Sequence, residues 1–181
     1  PLVLRYFHVP SHAVDARDAA ALAVIAQILG GDDTSRLYRK LVVEGGIAAQ
    51  AGADYQGGGL DSGRLAVLAL AGSDGDAARL ESALDAVISE LRETGATEAE
   101  LARAKFALET AGVLEQDSQE RLARRFGEGL AAGRTLVDIE AAADLIAAVT
   151  LQDIRRVARL HLSPARSVTG TLVRDTSSGA N

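Results

Sequence analysis

Residues 47–71 have the sequence IAAQAGADYQGGGLDSGRLAVLALA, and this stretch decides the fold class. Residues 64–71 form a near-continuous apolar run, and residues 47–55 consist largely of small side chains. The connection between them includes Gly57-Gly58-Gly59 and residues 60–63. Two short runs of this kind, separated by glycine-rich residues, predict an antiparallel β-hairpin. The middle of the chain is therefore predicted to be sheet.

On the N-terminal side of this hairpin, the pattern predicts a strand followed by two helices. Residues 2–9 are an apolar run rich in strand formers that Pro10 ends. Asp15 is predicted to cap a helix of about four turns that stops at Gly30-Gly31. A shorter second helix is predicted over residues 36–42. Its possible caps are Asp32, Asp33, Thr34 and Ser35.

On the C-terminal side, the apolar spacing is helical almost to the end. The first predicted helix closes at Gly95, and Thr97 with Glu100 forms a capping box for the next. That helical pattern continues to Gly133, with a break predicted at Asp117-Ser118.

Two more helices and a last strand follow. The helices are predicted over residues 138–147 and 150–162, the second capped by Thr150 and Asp153. Residues 167–173 are predicted to form a closing strand. The last eight residues, 174–181, are polar and are expected to fray.

This element order is not a regular alternation of strands and helices. It favours an α+β fold with two layers, in which helices pack on one face of an antiparallel sheet. With 181 residues, the chain is expected to hold one domain over residues 1–173.

Composition narrows the function classes. The formal net charge is −6 and the 19 Lys and Arg residues are scattered along the chain, which argues against a nucleic-acid partner. There is no cysteine and no apolar run of about 18 residues, so thiol chemistry and a membrane-spanning helix are not expected. Cytoplasm and periplasm both remain open. Because the sequence starts at Pro1 and contains no methionine, we expect it to be a segment of a longer polypeptide.

The three histidines do not predict a metal or catalytic site. His8 and His12 have the spacing of a helical zinc pair, but Pro10 lies between them and places them in a strand and a turn. His161 lies near the end of a predicted helix with no evident partner, so a capping or surface role is expected.

Other candidate motifs also favour structural roles. Ser35 lacks the Gly-x-Ser-x-Gly context of a nucleophile and is interpreted as a helix cap. Gly57-Gly58-Gly59 could suggest a phosphate cradle, but a strand follows it, so a hairpin turn is the better interpretation. The residues therefore predict no catalytic and no metal site in this chain.

Two segments resemble one known family. Residues 28–31 (ILGG) and 35–48 (SRLYRKLVVEGGIA) are similar to the second, inactive-type repeat of insulinase-like zinc peptidases, the family of pitrilysin and the mitochondrial processing peptidase. Smaller landmarks follow in the family's order and extend the match from about Arg5 to Val173. They are residues 9–11, 61–63, 97–101, 104–105, 117–118, 148–150, 153–154 and 167–170.

The resemblance implies a domain that closes a chamber around an unfolded peptide. In such families the other half holds zinc through His-x-x-Glu-His, whose Glu activates a zinc-bound water. The related helix here carries Ala19, Leu22 and Ala23 at ligand positions. We therefore expect no cofactor in this chain and zinc in an N-terminal half of the full protein.

The resemblance also implies an Arg and, seven residues on, a Tyr that reach the substrate. Val42 and Ala49 occupy those positions here, and neither side chain can donate a hydrogen bond. If the register differs, Tyr38 or Arg39 are the candidates. The absence of this Arg and Tyr suggests that the full protein is the zinc-bearing subunit and that a homologous partner subunit supplies the two residues.

Two alternatives remain open. A family member that lacks zinc ligands in both halves would serve as a scaffold, as respiratory core subunits do. A binding module would present a sheet edge to an extended peptide without cleaving it.

Overall fold

The computed structural model describes residues 1–72 and 76–173. Four strands and seven α-helices appear in these ranges, together with a π-helical turn at Tyr38–Glu44 and a 3-10 turn at Pro164–Arg166. The strands are β1 (Leu2–Val9), β2 (Ala48–Gln56), β3 (Gly63–Ala71) and β4 (Ser167–Leu172). The helices are α1 (Ala16–Gly30), α2 (Ala77–Thr94), α3 (Glu98–Gln116), α4 (Gln119–Ala131), α5 (Leu136–Glu140), α6 (Ala142–Ala148) and α7 (Leu151–His161).

The strands form one antiparallel sheet in the order β2-β3-β1-β4. The predicted hairpin is β2 and β3, and the central strand β1 pairs with β3 and with the closing strand β4. Helices cover one face of this sheet. The two-layer α+β fold expected from the element order is confirmed.

Successive side chains of a strand point to opposite faces of the sheet, so one face is buried and the other is exposed. Val3, Phe7 and Val9 of β1, with Leu65 and Val67 of β3, point to the helices and are almost fully buried. They form the core with apolar side chains of α1, α2 and α7. The opposite face carries side chains that are exposed, among them Tyr6, Leu70, Val168 and Leu172.

Local signals set most helix boundaries as predicted. Asp15 caps α1 by accepting hydrogen bonds from the N–H groups of Arg17 and Asp18 at 3.0 and 2.9 Å. Helix α2 ends at Gly95, whose φ of +80° favours glycine. The capping boxes of α3 (Thr97 and Glu100) and α7 (Thr150 and Asp153) are both present. The break at Asp117-Ser118 lies between α3 and α4.

The short second helix differs from its prediction. It is π-helical over Tyr38–Glu44, and the Gly45 N–H donates to the carbonyl of Lys40, five residues back. Ser35 is not its cap, because the buried Ser35 hydroxyl has no hydrogen-bond partner. Asp32 instead accepts hydrogen bonds from the backbone and the hydroxyl of Thr34.

The helix predicted over residues 138–147 is two helices. A capping box of Thr135 and Asp138 starts α5 two residues earlier than predicted, and a turn at Ala141 separates it from α6. Ile139 packs on Gly129 of α4, where an added Cβ would lie 2.5 Å from it. This contact anchors α5 to α4.

Small residues in β2 allow α1 to approach closely. A Cβ on Gly30 would lie 2.0 Å from the backbone nitrogen of Ala53. Ala48 is buried, and Ala51 and Ala53 pack on the core. The element that covers these alanines is therefore α1, a helix of the same domain.

Two stretches lie outside the described residues. They are residues 73–75 and residues 174–181, so the predicted fraying of the tail lies outside the described residues. Within the described ranges, no helix is long and apolar enough to cross a membrane.

Candidate functional site

A groove of about 1120 Å³ lies where the sheet meets α4. Its walls come from β1, from the connection between β2 and β3, from α4, and from the residues that follow α4 and α7. His8 and Arg64, which pair across β1 and β3, lie at its sheet side.

The hairpin connection is fixed to the turn that follows β1. The Tyr55 hydroxyl donates to the carbonyl of Pro10 at 2.7 Å, and the backbone N–H of His12 donates to the carbonyl of Gly57 at 3.0 Å. The rings of His12 and Tyr55 meet edge to face, with centroids 5.8 Å apart. Gly57, Gly58 and Gly59 therefore form a bare backbone wall in a fixed position, and their predicted role as a hairpin connection is confirmed.

Helix α4 forms the opposite wall. Ser118 caps it by accepting a hydrogen bond from the N–H of Arg121 at 3.3 Å. Arg121, Arg124 and Arg125 then project from one side, because residues three and four apart share a helix face. The helix ends at Gly133, whose φ is +79°.

Arginine dominates the lining of the groove. Six arginines contribute to it, against two glutamates, Glu115 and Glu128. The arginines are Arg64, Arg121, Arg124, Arg125, Arg134 and Arg166. The basic residues are scattered along the sequence, yet the fold gathers a third of them here.

Burial, more than charge, shifts the pKa values of the titratable groups beside the groove. Burial lowers the pKa of His12 to about 4, and the charge of Arg134 adds to that effect. Burial also raises the pKa of Tyr55 and lowers that of Arg134. At neutral pH His12 is therefore neutral and Arg134 remains a cation.

The histidines near the groove do not share a helix. His8 lies in β1 and His12 in the turn after Pro10, as predicted. Among the described residues, there is no group of three or more His, Cys, Asp or Glu side chains that could hold a metal ion.

The prediction for His161 is wrong. It is buried, and its Nε2 lies 2.9 Å from Oδ2 of Asp18 in α1. Arg156 donates to the other Asp18 oxygen at 2.6 Å. Burial acts to raise the pKa of Asp18, but hydrogen bonds from Arg156 and His161 outweigh it, so the net shift is downward. The network joins α1 to α7 inside the helical layer.

The sequence contains a feature that points to a buried partner for His161. His161 continues the buried stripe of α7, which includes Ile154, Val157 and Ala158 at helical spacing. A histidine on a buried stripe needs a polar partner. The spacing of Arg121, Arg124 and Arg125 was the equivalent local signal for the groove.

The positions that correspond to the family's zinc ligands and to its Arg and Tyr lie outside the lining of the groove. Ala19 and Leu22 of α1 are fully buried in the helical layer. Val42 is half-buried in the π-helical turn, and Ala49 is exposed at an irregularity in the pairing of β2 with β3. Of the substitutes considered, Tyr38 is half-buried, and the exposed Arg39 pairs with Glu44 at 3.3 Å.

A family model described as the peptidase M16 inactive domain matches residues 3–108. Among curated protein sequences, none matches the chain.

Several solved structures are similar. The inactive peptidase domain of a candidate zinc protease from Bordetella parapertussis has a TM-score of 0.86 and 22% identity, covering 95% of this chain and 91% of that one. A candidate zinc protease from Bordetella pertussis has a TM-score of 0.85 and 22% identity, covering 96% of this chain and 94% of that one.

A protease from Helicobacter pylori is a longer neighbour. It has a TM-score of 0.85 and 22% identity over 93% of this chain. The match covers 39% of the Helicobacter chain, so this chain spans about two fifths of its length. At these identities the likeness concerns the fold.

Proposed function

The chain belongs to the peptidase M16 inactive-domain family, and from that premise we propose that it is the non-catalytic half of a peptide-binding chamber. A zinc-bearing half of the same protease faces it across the chamber and carries out hydrolysis. The domain's own task is to hold an unfolded peptide against that half.

The observation that carries this proposal is the sheet face without helices. Tyr6, Leu70, Val168 and Leu172 expose their side chains there, by between 37% and 73%. An exposed apolar patch of this kind is typical of a surface that meets a partner or a ligand. Tyr6 and Val168 of this face also line the groove, so the two surfaces share residues.

The catalytic group belongs to the other half in this proposal. Hydrolysis by a zinc peptidase needs a metal with a bound water and a base beside it. In this chain the helix that resembles the zinc helix has Ala19 and Leu22 fully buried at these positions. Their side chains support α1 and offer no atom to a metal.

We also propose that a homologous subunit supplies the missing Arg and Tyr. Val42 and Ala49 offer only apolar side chains at the corresponding positions. Arg39 is engaged with Glu44, which makes it a poor substitute for an arginine that reaches a substrate. A chain that lacks these donors needs them from elsewhere to stabilise a developing oxyanion.

The test compares two preparations with a quenched-fluorescence peptide that has no fixed structure. One is the 181-residue chain alone, and the other is the same chain recovered under native conditions with the half and any subunit that accompany it. The native preparation should cleave the peptide and stop when a chelator removes its metal, and the chain alone should not cleave.

Cleavage by the chain alone at the native rate would contradict the proposal. A native preparation that contains no zinc and cleaves nothing would instead favour the scaffold alternative. If a native preparation that contains a single type of subunit is fully active, the proposal that a homologous subunit supplies the Arg and Tyr is wrong.

A further inference from the structure

The groove beside α4 is strongly cationic in a chain whose net charge is negative. Its lining holds six arginines and two glutamates, whereas the whole chain has 19 basic and 25 acidic residues. A concave surface lined by one sign of charge concentrates field and attracts ligands of the opposite sign. The charge of the groove therefore needs an explanation that the average composition does not supply.

The groove arginines are held in place without being neutralised. Arg125 donates to the carbonyl of Ile139 at 3.0 Å, Arg134 to that of Asp138 at 2.7 Å, and Arg166 to that of Leu160 at 3.3 Å. A backbone carbonyl orients a guanidinium and leaves its full charge and several N–H donors available. These three side chains are positioned cations.

The arginine on the sheet is oriented in a similar way. The Arg64 Nε donates to the side-chain oxygen of Gln56 at 2.9 Å, and its guanidinium lies 5.4 Å from the centre of the Tyr6 ring. Both contacts fix the guanidinium without an opposing charge. Of the six arginines, Arg124 alone forms an ion pair among the described residues, an exposed one with Glu120 at 3.2 Å.

One arginine of the groove, Arg134, is only partly satisfied by the described residues. Its Nε is buried and has no hydrogen-bond partner in the described part of the chain. A buried donor without a partner destabilises the structure that contains it, and a donor on a cation does so more strongly. Within the described residues, the guanidinium of Arg134 is therefore stabilised only in part, by its hydrogen bond to the carbonyl of Asp138.

The glycine wall leaves room for a polypeptide ligand. An added Cβ on Gly58 would meet nothing within 4 Å, so the space in front of it is open. On Gly59 the same atom would lie 2.1 Å from the carbonyl oxygen of Ser62, so the turn itself is tight. A fixed, side-chain-free wall opposite α4 suits an extended chain that carries its charges toward the arginines.

We propose that this groove binds the carboxylates of an extended peptide, so that the domain favours acidic segments of its substrate. Carboxylates pair with guanidinium groups through two parallel hydrogen bonds, which gives direction as well as attraction. The inference rests on the proposed function, because it assigns a substrate class to the chamber. Glutamate and aspartate side chains and a C-terminal carboxylate share this chemistry.

The experiment measures binding to the 181-residue chain by fluorescence anisotropy, with three labelled peptides of equal length. One is rich in glutamate and amidated at its C-terminus, the second has glutamine at every glutamate position, and the third is the glutamine peptide with a free C-terminal carboxylate. We expect the glutamate peptide to bind at least about tenfold more tightly than the amidated glutamine peptide, and the difference to shrink in about 0.5 M salt.

Tighter binding of the third peptide than of the second would identify the C-terminal carboxylate as a ligand as well. Equal binding of all three peptides would overturn the proposal.

Matched variants locate the binding site. R64A/R121A removes two charges from the groove and should weaken glutamate-peptide binding by about tenfold. R17A/R79A removes two charges from exposed arginines of α1 and α2 outside the groove lining, and should change it less than about twofold. Equal losses in both variants would show unspecific attraction and contradict the assignment.

The outcome is separable from that of the proposed function, because binding is measured without cleavage. If the 181-residue chain binds the glutamate peptide but the native preparation cleaves nothing, the groove proposal stands and the protease proposal fails. If the native preparation cleaves all three peptides with equal kcat/KM and the 181-residue chain binds none of them selectively, the protease proposal stands and the groove proposal fails.

Discussion

The buried arginines Arg5 and Arg36 and the arginines of the groove have opposite surroundings. Arg5 contacts Glu81 and Asp85, and Arg36 contacts Glu100, and both guanidinium groups are almost fully buried. In the groove, five of six arginines form no ion pair with a described carboxylate. Paired arginines stabilise the fold, whereas the groove arginines without an ion pair keep N–H donors available for a ligand. The comparison separates charges that stabilise the structure from charges that remain available for binding.

The largest expected effect comes from breaking a paired arginine. Arg36 donates to both carboxylate oxygens of Glu100, at 2.7 and 2.8 Å, and to the carbonyl of Gly95 at 2.9 Å. R36A should lower the free energy of unfolding by about 3–5 kcal/mol, because it leaves a poorly solvated carboxylate without its partner. Urea unfolding measures the change.

Two further variants sharpen that result. R39A, at an exposed arginine three residues on, should cost less than about 0.5 kcal/mol. R36M/E100Q removes both charges and keeps a side chain able to serve in the capping box, so it should recover part of the loss. A loss from R36A no larger than that from R39A would show that the pair is not structural.

A glycine comparison has the next largest effect. G30A would place a Cβ 2.0 Å from the backbone of β2, so α1 must move away from the sheet. We expect a loss of at least about 2–3 kcal/mol in unfolding free energy. G58A, in the groove wall, meets open space and should change stability by less than about 0.5 kcal/mol. Equal effects would mean that the close approach of α1 and β2 does not limit stability.

Much of the fold could be predicted because its signals are local. The glycine connection of the hairpin and the capping boxes at Thr97 and Thr150 each lie within a few neighbouring residues. The π-helical turn at Tyr38–Glu44 escaped prediction because its hydrogen bonds to the fifth residue back leave no periodic apolar pattern in so short a segment.

The spacing of the α4 arginines was a local signal, but the complete groove could not be predicted because it is assembled from distant parts of the chain. Arg64 comes from β3 and Arg166 from the turn before β4, and they meet only because β1 pairs with both strands. The pairing of Asp18 with His161 joins the two ends of the chain in the same way. The sequence shows which residues are charged, but only the three-dimensional structure shows which of them lie close together.

The smallest expected effect is on the titration of His12. Burial, with help from the charge of Arg134, holds the pKa of His12 at about 4. R134M should raise this pKa measurably, because it removes the neighbouring charge. The titration is followed by NMR of the histidine ring. R17A, which removes an arginine outside the groove lining, should leave it unchanged. No shift in R134M would mean that the groove potential does not reach the ring.

The same pKa fixes the sign of a pH effect on stability. The folded value of about 4 lies below the ordinary value of 6.5, so the folded chain binds fewer protons than the unfolded chain between these values. Acidification from pH 6.5 to 4 should therefore destabilise the fold. Burial acts to raise the pKa of Glu100, but its hydrogen bonds hold it at about 2, so a second loss should follow as the pH falls from about 4 toward 2.

A hydrogen-exchange footprint of the 181-residue chain with the glutamate-rich peptide tests most directly whether the groove side of the domain receives substrate. We predict slower exchange on peptide addition in two segments, residues 56–64 and 119–134, with no change in α2 or α7. Protection confined to the helical layer, or none at concentrations that saturate binding, would contradict this assignment.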